Sequence, residues 1–336
     1  MSKAKLTDVA AMAGVSKSTV SQYLNGRFEY MSKATQARVK EAISELDYVP
    51  NPIARNLKAS KTKTIGVIVR DITGYYSSKA IRGIDDYCKA NNYHALIYNT
   101  DFDSTLEARA LESLYQLRVD GIIIASSGKN TQQISRYIAK GLPIVQFQLD
   151  HDDSEKNIIM SDYKKAAFEA TEYLIELGHK RICFASQDFA DVKSRNERFE
   201  GYTQAMAKHK INIEPGFVQH WNREEGFTND VMDVINEVKP TAIFTQHLAI
   251  TTELLNILNH NNVDIPQDIS LLGFDEIPMV EFFKVPITVV RQRPYEIGHL
   301  SAKCVLNLID HPDTPPQRTV VSCSIDKRES CRAINR

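Results

Sequence analysis

The chain has 336 residues, 43% hydrophobic and 25% charged, long enough for two or three domains and without the charge-rich, apolar-poor signature of disorder. No run of about 18 apolar residues is available to span a membrane and no apolar stretch near the MSKAKLTDVA start reads as a secretory signal, so the expected compartment is the cytoplasm. The net charge of −1 hides a division: residues 1–63 carry 11 Lys/Arg against 5 Asp/Glu, net +6, and the remainder 30 against 37, net −7, which directs nucleic acid to the basic head alone.

Taken in chain order, LTDVAAMAGVSKSTVSQYLNG predicts two short helices back to back. Val9, Ala10 and Ala13 recur at helical spacing, Gly14 supplies the turn, and Ser16 is an N-cap for a second helix ending at Gly26. The pattern is that of a helix-turn-helix, whose second helix enters the major groove. Its first turn offers Lys17 and Ser18, with Gln22 one turn on, as base contacts; Val15, Val20 and Leu24 fall on the opposite face, against Val9 and a third helix from Ser32. Ser16, Thr19, Asn25, Ser32 and Thr35 are expected on phosphates.

Next comes YVPNPIARNLKASKTK, where Asn51 can cap, Pro52 suits a first turn, and Ile53, Ala54 and Leu57 form one apolar edge. The nine residues from Asn51 to Ala59 fall below the roughly 12–15 that hold a helix in water unaided. This segment is expected to need a partner.

These two stretches, continuing into TIGVIV, resemble the lactose/purine repressor family of bacterial transcription regulators, and the likeness runs along essentially the whole chain. The resemblance implies a DNA head at 1–49, a hinge helix and linker at 50–62, and an effector-binding and dimerisation body at 63–336. It implies a homodimer on a palindromic operator, with paired hinge helices in the minor groove and Leu57 wedged into a base step, Asn51, Ala54 and Arg55 lining the same groove. Such wedging unstacks the step at a cost of a few kcal/mol that added contacts must offset.

From Lys61 the chain alternates β-rich runs (TIGVIV, HALIYN, DGIIIA, PIVQFQ, NIIM, then RICFA, AIFT, ISLLGF, ITVV) with helix-like stretches such as LEARALESLYQL. Apolar runs separated by helices predict an α/β fold with parallel sheets covered on both faces. The resemblance divides it into two doubly wound, Rossmann-like subdomains of the periplasmic-binding-protein kind, with crossovers near 161–163, 290–293 and 323–325 and a ligand cleft between them. Catalysis is not expected: the phosphate-loop pattern around SSGKNT fails at Ile123 and Asn130, no GxGxxG or GxSxG occurs, and the histidines lack HExxH spacing. Five scattered cysteines without a CxxC pair predict reduced thiols, and neither a metal site nor a cofactor is called for.

For the cleft, the resemblance carries over Arg198 to a ligand's hydroxyls or carboxylate, Asp275 to its hydroxyls, Trp221 to stacking on a ring face, and Tyr75 and Tyr76 to the mouth; Ser126 and Met160 complete the lining. Trp221 reads equally well as a core residue, and the two tyrosines as packing residues. Two departures stand out: Gln148 where the family has an aspartate, and Gln246-His247 where it has Asn-Asp. Arg291 and Arg293 flank the third crossover. A cleft that loses carboxylates and gains guanidinium forks suits an anion, so the expected effector is a sugar acid; the alternative is that these arginines pair with Asp71, Asp162 or Asp275. No leucine-heptad tail follows KRESCRAINR, which favours a dimer, with the helix around Ala80–Tyr87 and surfaces of both subdomains as candidate interface.

Overall fold

The computed structural model describes residues 4–49, 61–148, 156–189 and 192–334. The chain divides into a unit of residues 1–62 and a unit of residues 63–336. The expected hinge residues Asn51, Ala54, Arg55 and Leu57 lie outside the described residues.

In the first unit, α1 (Leu6–Met12), α2 (Lys17–Leu24) and α3 (Lys33–Glu45) pack around Val9, Ala10, Ala13, Val20, Val39 and Ala42. Gly14 turns the chain between α1 and α2 at φ 60°, in the left-handed region that side chains disfavour. Ser16 and Ser32 cap α2 and α3, each side chain accepting the backbone N–H three residues on, from Thr19 and Thr35.

The second unit holds two sheets. The six-stranded one runs β12-β5-β4-β3-β1-β2, from β1 (Thr64–Val69), β2 (His94–Asn99), β3 (Gly121–Ile124), β4 (Ile144–Phe147), β5 (Asn157–Ser161) and β12 (Arg318–Val321). The seven-stranded one runs β13-β11-β10-β9-β6-β7-β8, from β6 (Ile182–Gln187), β7 (Val218–Asn222), β8 (Gly226–Phe227), β9 (Ala242–Thr245), β10 (Ser270–Phe274), β11 (Thr288–Arg291) and β13 (Ser324–Asp326). All pairings are parallel except β7 with β8 and β11 with β13. Strands β3, β4, β9 and β10 are buried at every position, which is why they read as continuous apolar runs. The chain leaves the first sheet after β5, returns after β11, and crosses again between β12 and β13.

Helices cover these sheets: α4 (Tyr75–Ala90), α5 (Ser104–Gln116), α6 (Thr131–Ala139) and α11 (Pro294–Asp310) in the first lobe, and α7 (Tyr163–Glu176), α8 (Lys193–Lys208), α9 (Val231–Val238) and α10 (Leu248–His260) in the second. The apolar face of α4 packs within the chain. Ala80 and Ile84 are fully buried, and α4 meets α11 so closely that a Cβ on Gly83 would stand 2.1 Å from the Tyr295 carbonyl oxygen. That face is consumed within one chain and is not available to a second copy. Exposed apolar side chains of the second unit include Leu96 and Ile97 on the edge strand β2, and Met279 and Phe282 around the short 3-10 turn Val280–Phe282. All five cysteines are unpaired, and among the described residues no helix is long and apolar enough to cross a membrane.

Candidate functional site

The exposed N-terminal turn of α2 displays Lys17 and Ser18, and the half-buried Gln22 follows one turn later. Ser16 Oγ lies 2.6 Å from Ser18 Oγ and 2.9 Å from Thr19 Oγ1, so the three hydroxyls form one small polar cluster at the helix end. Ser32 and Thr35 repeat the arrangement on α3, with hydroxyls 2.9 Å apart. Two helix N-termini therefore face solvent with their free N–H groups, an arrangement that favours phosphate oxygens. Asn25 closes α2 and is exposed, its side-chain amide donating to the Ser21 carbonyl at 2.8 Å. Tyr30, 86% exposed between α2 and α3, belongs to no periodic pattern and is not singled out by helix spacing.

In the second unit the chemistry gathers at the carboxyl ends of the parallel strands of both sheets, where open α/β sheets bind ligands. Arg70 follows β1, Gln148 follows β4, Gln246 and His247 follow β9, and Asp275 follows β10. Gln148 and Asp275 both sit in the left-handed region, at φ 71° and 81°, each at a cost of about 1–2 kcal/mol that the surrounding structure must hold.

Arg198, on α8, is the centre of the cleft. It is 8% exposed, with its guanidinium carbon 4.4 Å from the Tyr163 ring centre and 4.3 Å from that of Phe274, and its Nε has no hydrogen-bond partner. Two aromatic faces stabilise the cation without consuming its N–H groups, which remain for an anion. Asp275 accepts a hydrogen bond from Gln292 Nε2, and the other end of that amide, Oε1, accepts one from Ser161 Oγ at 2.6 Å. Gln292, at the return crossover, thus ties the end of β5 to the carboxylate after β10. The Tyr163 hydroxyl donates to the Gln148 carbonyl at 2.5 Å.

Burial sets the protonation states. It pushes the Tyr76 and Tyr163 phenols up, Tyr76 well above the usual range, so both stay protonated; the Tyr76 hydroxyl has no partner. The Cys323 thiol is pushed up to about 12 by burial, which leaves it an inert neighbour. Burial, with Arg195 nearby, lowers the Arg70 guanidinium to about 10, and Arg70 remains a cation at neutral pH. His247 is brought down to about 4 by burial, against Asp275 and with Arg198, Arg223 and Arg70, so the imidazole is neutral.

Several expected contacts are placed differently. Arg291 is taken up by carboxylates, with Nε 2.6 Å from Glu276 and a terminal nitrogen 2.8 Å from Asp326. Its partners are neither Asp71, Asp162 nor Asp275. Arg293 is 53% exposed at its side chain and stands 3.4 Å from Glu296. Trp221 is 5% exposed, a core member whose Nε1 donates to Glu253 at 2.6 Å, which anchors the indole to α10. Gln246 is fully buried and uses both ends of its amide, accepting from the Gln187 N–H and donating to the Arg195 carbonyl. Met160 packs into the second lobe's core, and Ser126, fully buried, accepts the Gly128 N–H at 3.1 Å. Tyr76 stands with Arg198 and Asp275, whereas Tyr75, at the start of α4, faces Glu276 and Arg291 of the other lobe. Arg70, Tyr163, Gln292 and Arg223 also join the cleft, together with His247, which the sequence marked only as a departure from the family pattern. Arg70 and His247 follow strand ends, which was their available signal; Arg223, in the β7–β8 turn, had none.

Residues 5–51 match the family described as bacterial regulatory proteins, lacI family, and residues 171–331 match a periplasmic binding protein-like domain. The chain is 33% identical to a probable HTH-type transcriptional regulator, EndR, of Paenibacillus polymyxa, over 92% of this chain and 91% of that one. It is 32% identical to the ribose operon repressor of Escherichia coli (strain K12), over 97% and 99% of the two chains. Among solved structures, the lac repressor dimer bound to operator and the anti-inducer ONPF has the same fold, with a TM-score of 0.85 at 22% identity over 99% of this chain and 100% of that one. A LacI family regulator from Enterococcus faecium with bound ribose aligns with a TM-score of 0.72 at 26% identity, over 81% and 100%. The chain therefore belongs to the lacI family of bacterial regulatory proteins, DNA-binding transcriptional regulators with small-molecule effectors and not enzymes.

Proposed function

We propose that the protein is a cytoplasmic, homodimeric repressor of a palindromic operator whose effector is a small sugar acid of the uronate or keto-deoxy-gluconate kind. The observation that carries the effector class is the charge around His247, where the guanidiniums of Arg70, Arg198 and Arg223 act together with the Asp275 carboxylate. An acid entering such a site meets little like-charge repulsion, and a guanidinium can hold a carboxylate through two parallel bonds. Arg198, with its free Nε, keeps the carboxylate-binding role expected of it, while Arg291 is paired with Glu276 and Asp326. Asp275, oriented by Gln292, is left for the sugar hydroxyls.

Lys17, Ser18 and Gln22 read bases, while Ser16, Thr19, Asn25, Ser32 and Thr35 hold phosphates. Residues 50–62 form the hinge, with Leu57 as the wedge and Asn51, Ala54 and Arg55 beside it in the minor groove; closure of the two lobes on the effector draws the paired hinges from the DNA. The second copy docks through the exposed apolar groups at Leu96 and Ile97 and at Met279 and Phe282, a mode that removes their apolar surface from water.

Calorimetric titration with galacturonate, gluconate and 2-keto-3-deoxygluconate, beside galactose and ribose, tests the effector class. An acid is expected to bind tightest, and Arg198→Ala to weaken it by about 2–4 kcal/mol, the range for breaking a buried charged pair. A neutral sugar that binds more tightly than every acid, or binding indifferent to Arg198, contradicts it.

A further inference from the structure

His247 is placed where one side chain meets two demands. It is the N-cap of α10, and its Nδ1 accepts the backbone N–H of Ala249 at 3.2 Å. A ring nitrogen that accepts carries no proton, so the neutral imidazole holds its single proton on Nε2. The cap therefore fixes the tautomer. Around the ring stand Asp275 from the end of β10, Arg198 from α8, Arg223 from the β7–β8 turn and Arg70 from the end of β1. Three guanidiniums disfavour a second proton, and burial acts in the same direction. Among the described residues no hydrogen bond engages Nε2, and the residue is half-buried, so this N–H is left for whatever occupies the cleft.

We propose that His247 is a specificity-determining residue whose Nε2–H donates to an effector oxygen that bears no proton, a carboxylate or keto oxygen. This deepens the reading of the cleft as the effector site and rests on it. The cleft then offers the donors His247, Arg198 and Arg70 to an acceptor-only group, beside Asp275 for hydroxyls. An aspartate at 247 would cap α10 equally well but would present an acceptor in place of the donor.

Two substitutions separate donation from capping. His247→Asn keeps a capping oxygen and restores an N–H donor; His247→Asp keeps the cap and removes the donor. By calorimetry with the best-binding member of the panel above, His247→Asn is expected to stay within about threefold of the unmodified chain and His247→Asp to bind roughly 10–100-fold more weakly. His247→Asp binding as tightly as the unmodified chain, or His247→Asn as weak as His247→Asp, would overturn the proposal. Nitrogen-15 spectra of the histidine-labelled, ligand-free protein, with the His247 signal assigned by its loss in His247→Asn, give a second readout. They should show Nε2 protonated and Nδ1 bare at pH 7; the opposite tautomer or an imidazolium would refute it. A panel led by a neutral sugar, which carries no carboxylate or keto oxygen in its ring form, overturns this reading together with the sugar-acid one, whereas a panel led by an acid but lacking the Asn/Asp contrast overturns this one alone. If nothing in the panel binds, the nitrogen spectra alone decide.

Discussion

Arg198 and Trp221 show how two buried side chains on one lobe acquire opposite duties. Arg198 spends its aromatic contacts on desolvation and keeps N–H groups in reserve, whereas Trp221 spends its only polar atom on Glu253. The indole is then an anchor for the end of β7. Trp221→Phe is expected to cost about 1 kcal/mol of stability, the size of one hydrogen bond, and to leave effector affinity within about twofold. Urea unfolding and calorimetry on the same variant separate this from ring stacking on a ligand, which would cost affinity and spare stability. Asp275 and Arg198 were legible in the sequence because each lies in a short motif at a strand end or on a helix. The fate of Arg291 was not: its partner Asp326 comes from β13, 35 positions on, and only the antiparallel pairing of β11 with β13 brings the two together.

At the level of elements, the strands that sequence reading finds most readily are those buried on both faces, such as TIGVIV and ISLLGF, because nothing polar interrupts them. Strand β7 hid behind its own alternation: in VQHWN, Gln219 and Trp221 turn inward and His220 and Asn222 outward, too short a run to stand apart from a loop. Helix α4 was legible as a helix, and its buried side packs on α11. Its small face, Ala80 and Gly83, is what lets α11 approach to backbone contact, with Gly298 lying against the Ala80 carbonyl in return. Gly83→Ala should destabilise the body by about 1–3 kcal/mol through overpacking against the Tyr295 backbone, which cannot yield as a flexible side chain would. A denaturation midpoint unchanged by this substitution would mean that α4 and α11 separate at little cost.

At the scale of the whole molecule, two histidines, His179 fully buried and His247 half-buried, make stability depend on pH. His179 is fully buried, with Nδ1 2.9 Å from Thr241 Oγ1 and Nε2 3.1 Å from the Arg332 carbonyl, and burial lowers its pKa; His247 is lowered further, to about 4. Both bind a proton less readily in the folded chain than at the ordinary histidine value of about 6.5, so as pH falls below that value the unfolded chain gains protons first. Their contribution is complete above about pH 7 and is lost as pH falls from 6.5 towards 4, and His179→Gln should flatten the upper part of that decline. Denaturant midpoints measured across this interval that stay level would contradict the burial of both rings.

In the proposed function, operator binding by the basic head is coupled to an anionic ligand in the cleft. The most direct measurement is fluorescence anisotropy of the full chain on a palindromic duplex selected by the protein itself from a random pool, titrated with and without the acids and neutral sugars named above. The account predicts that an acid shifts the operator Kd by roughly 5–150-fold, the usual range of an allosteric coupling, and that Arg198→Ala abolishes the shift while leaving ligand-free DNA binding intact. Operator binding indifferent to every acid, or moved more by ribose or galactose than by any of them, would contradict it.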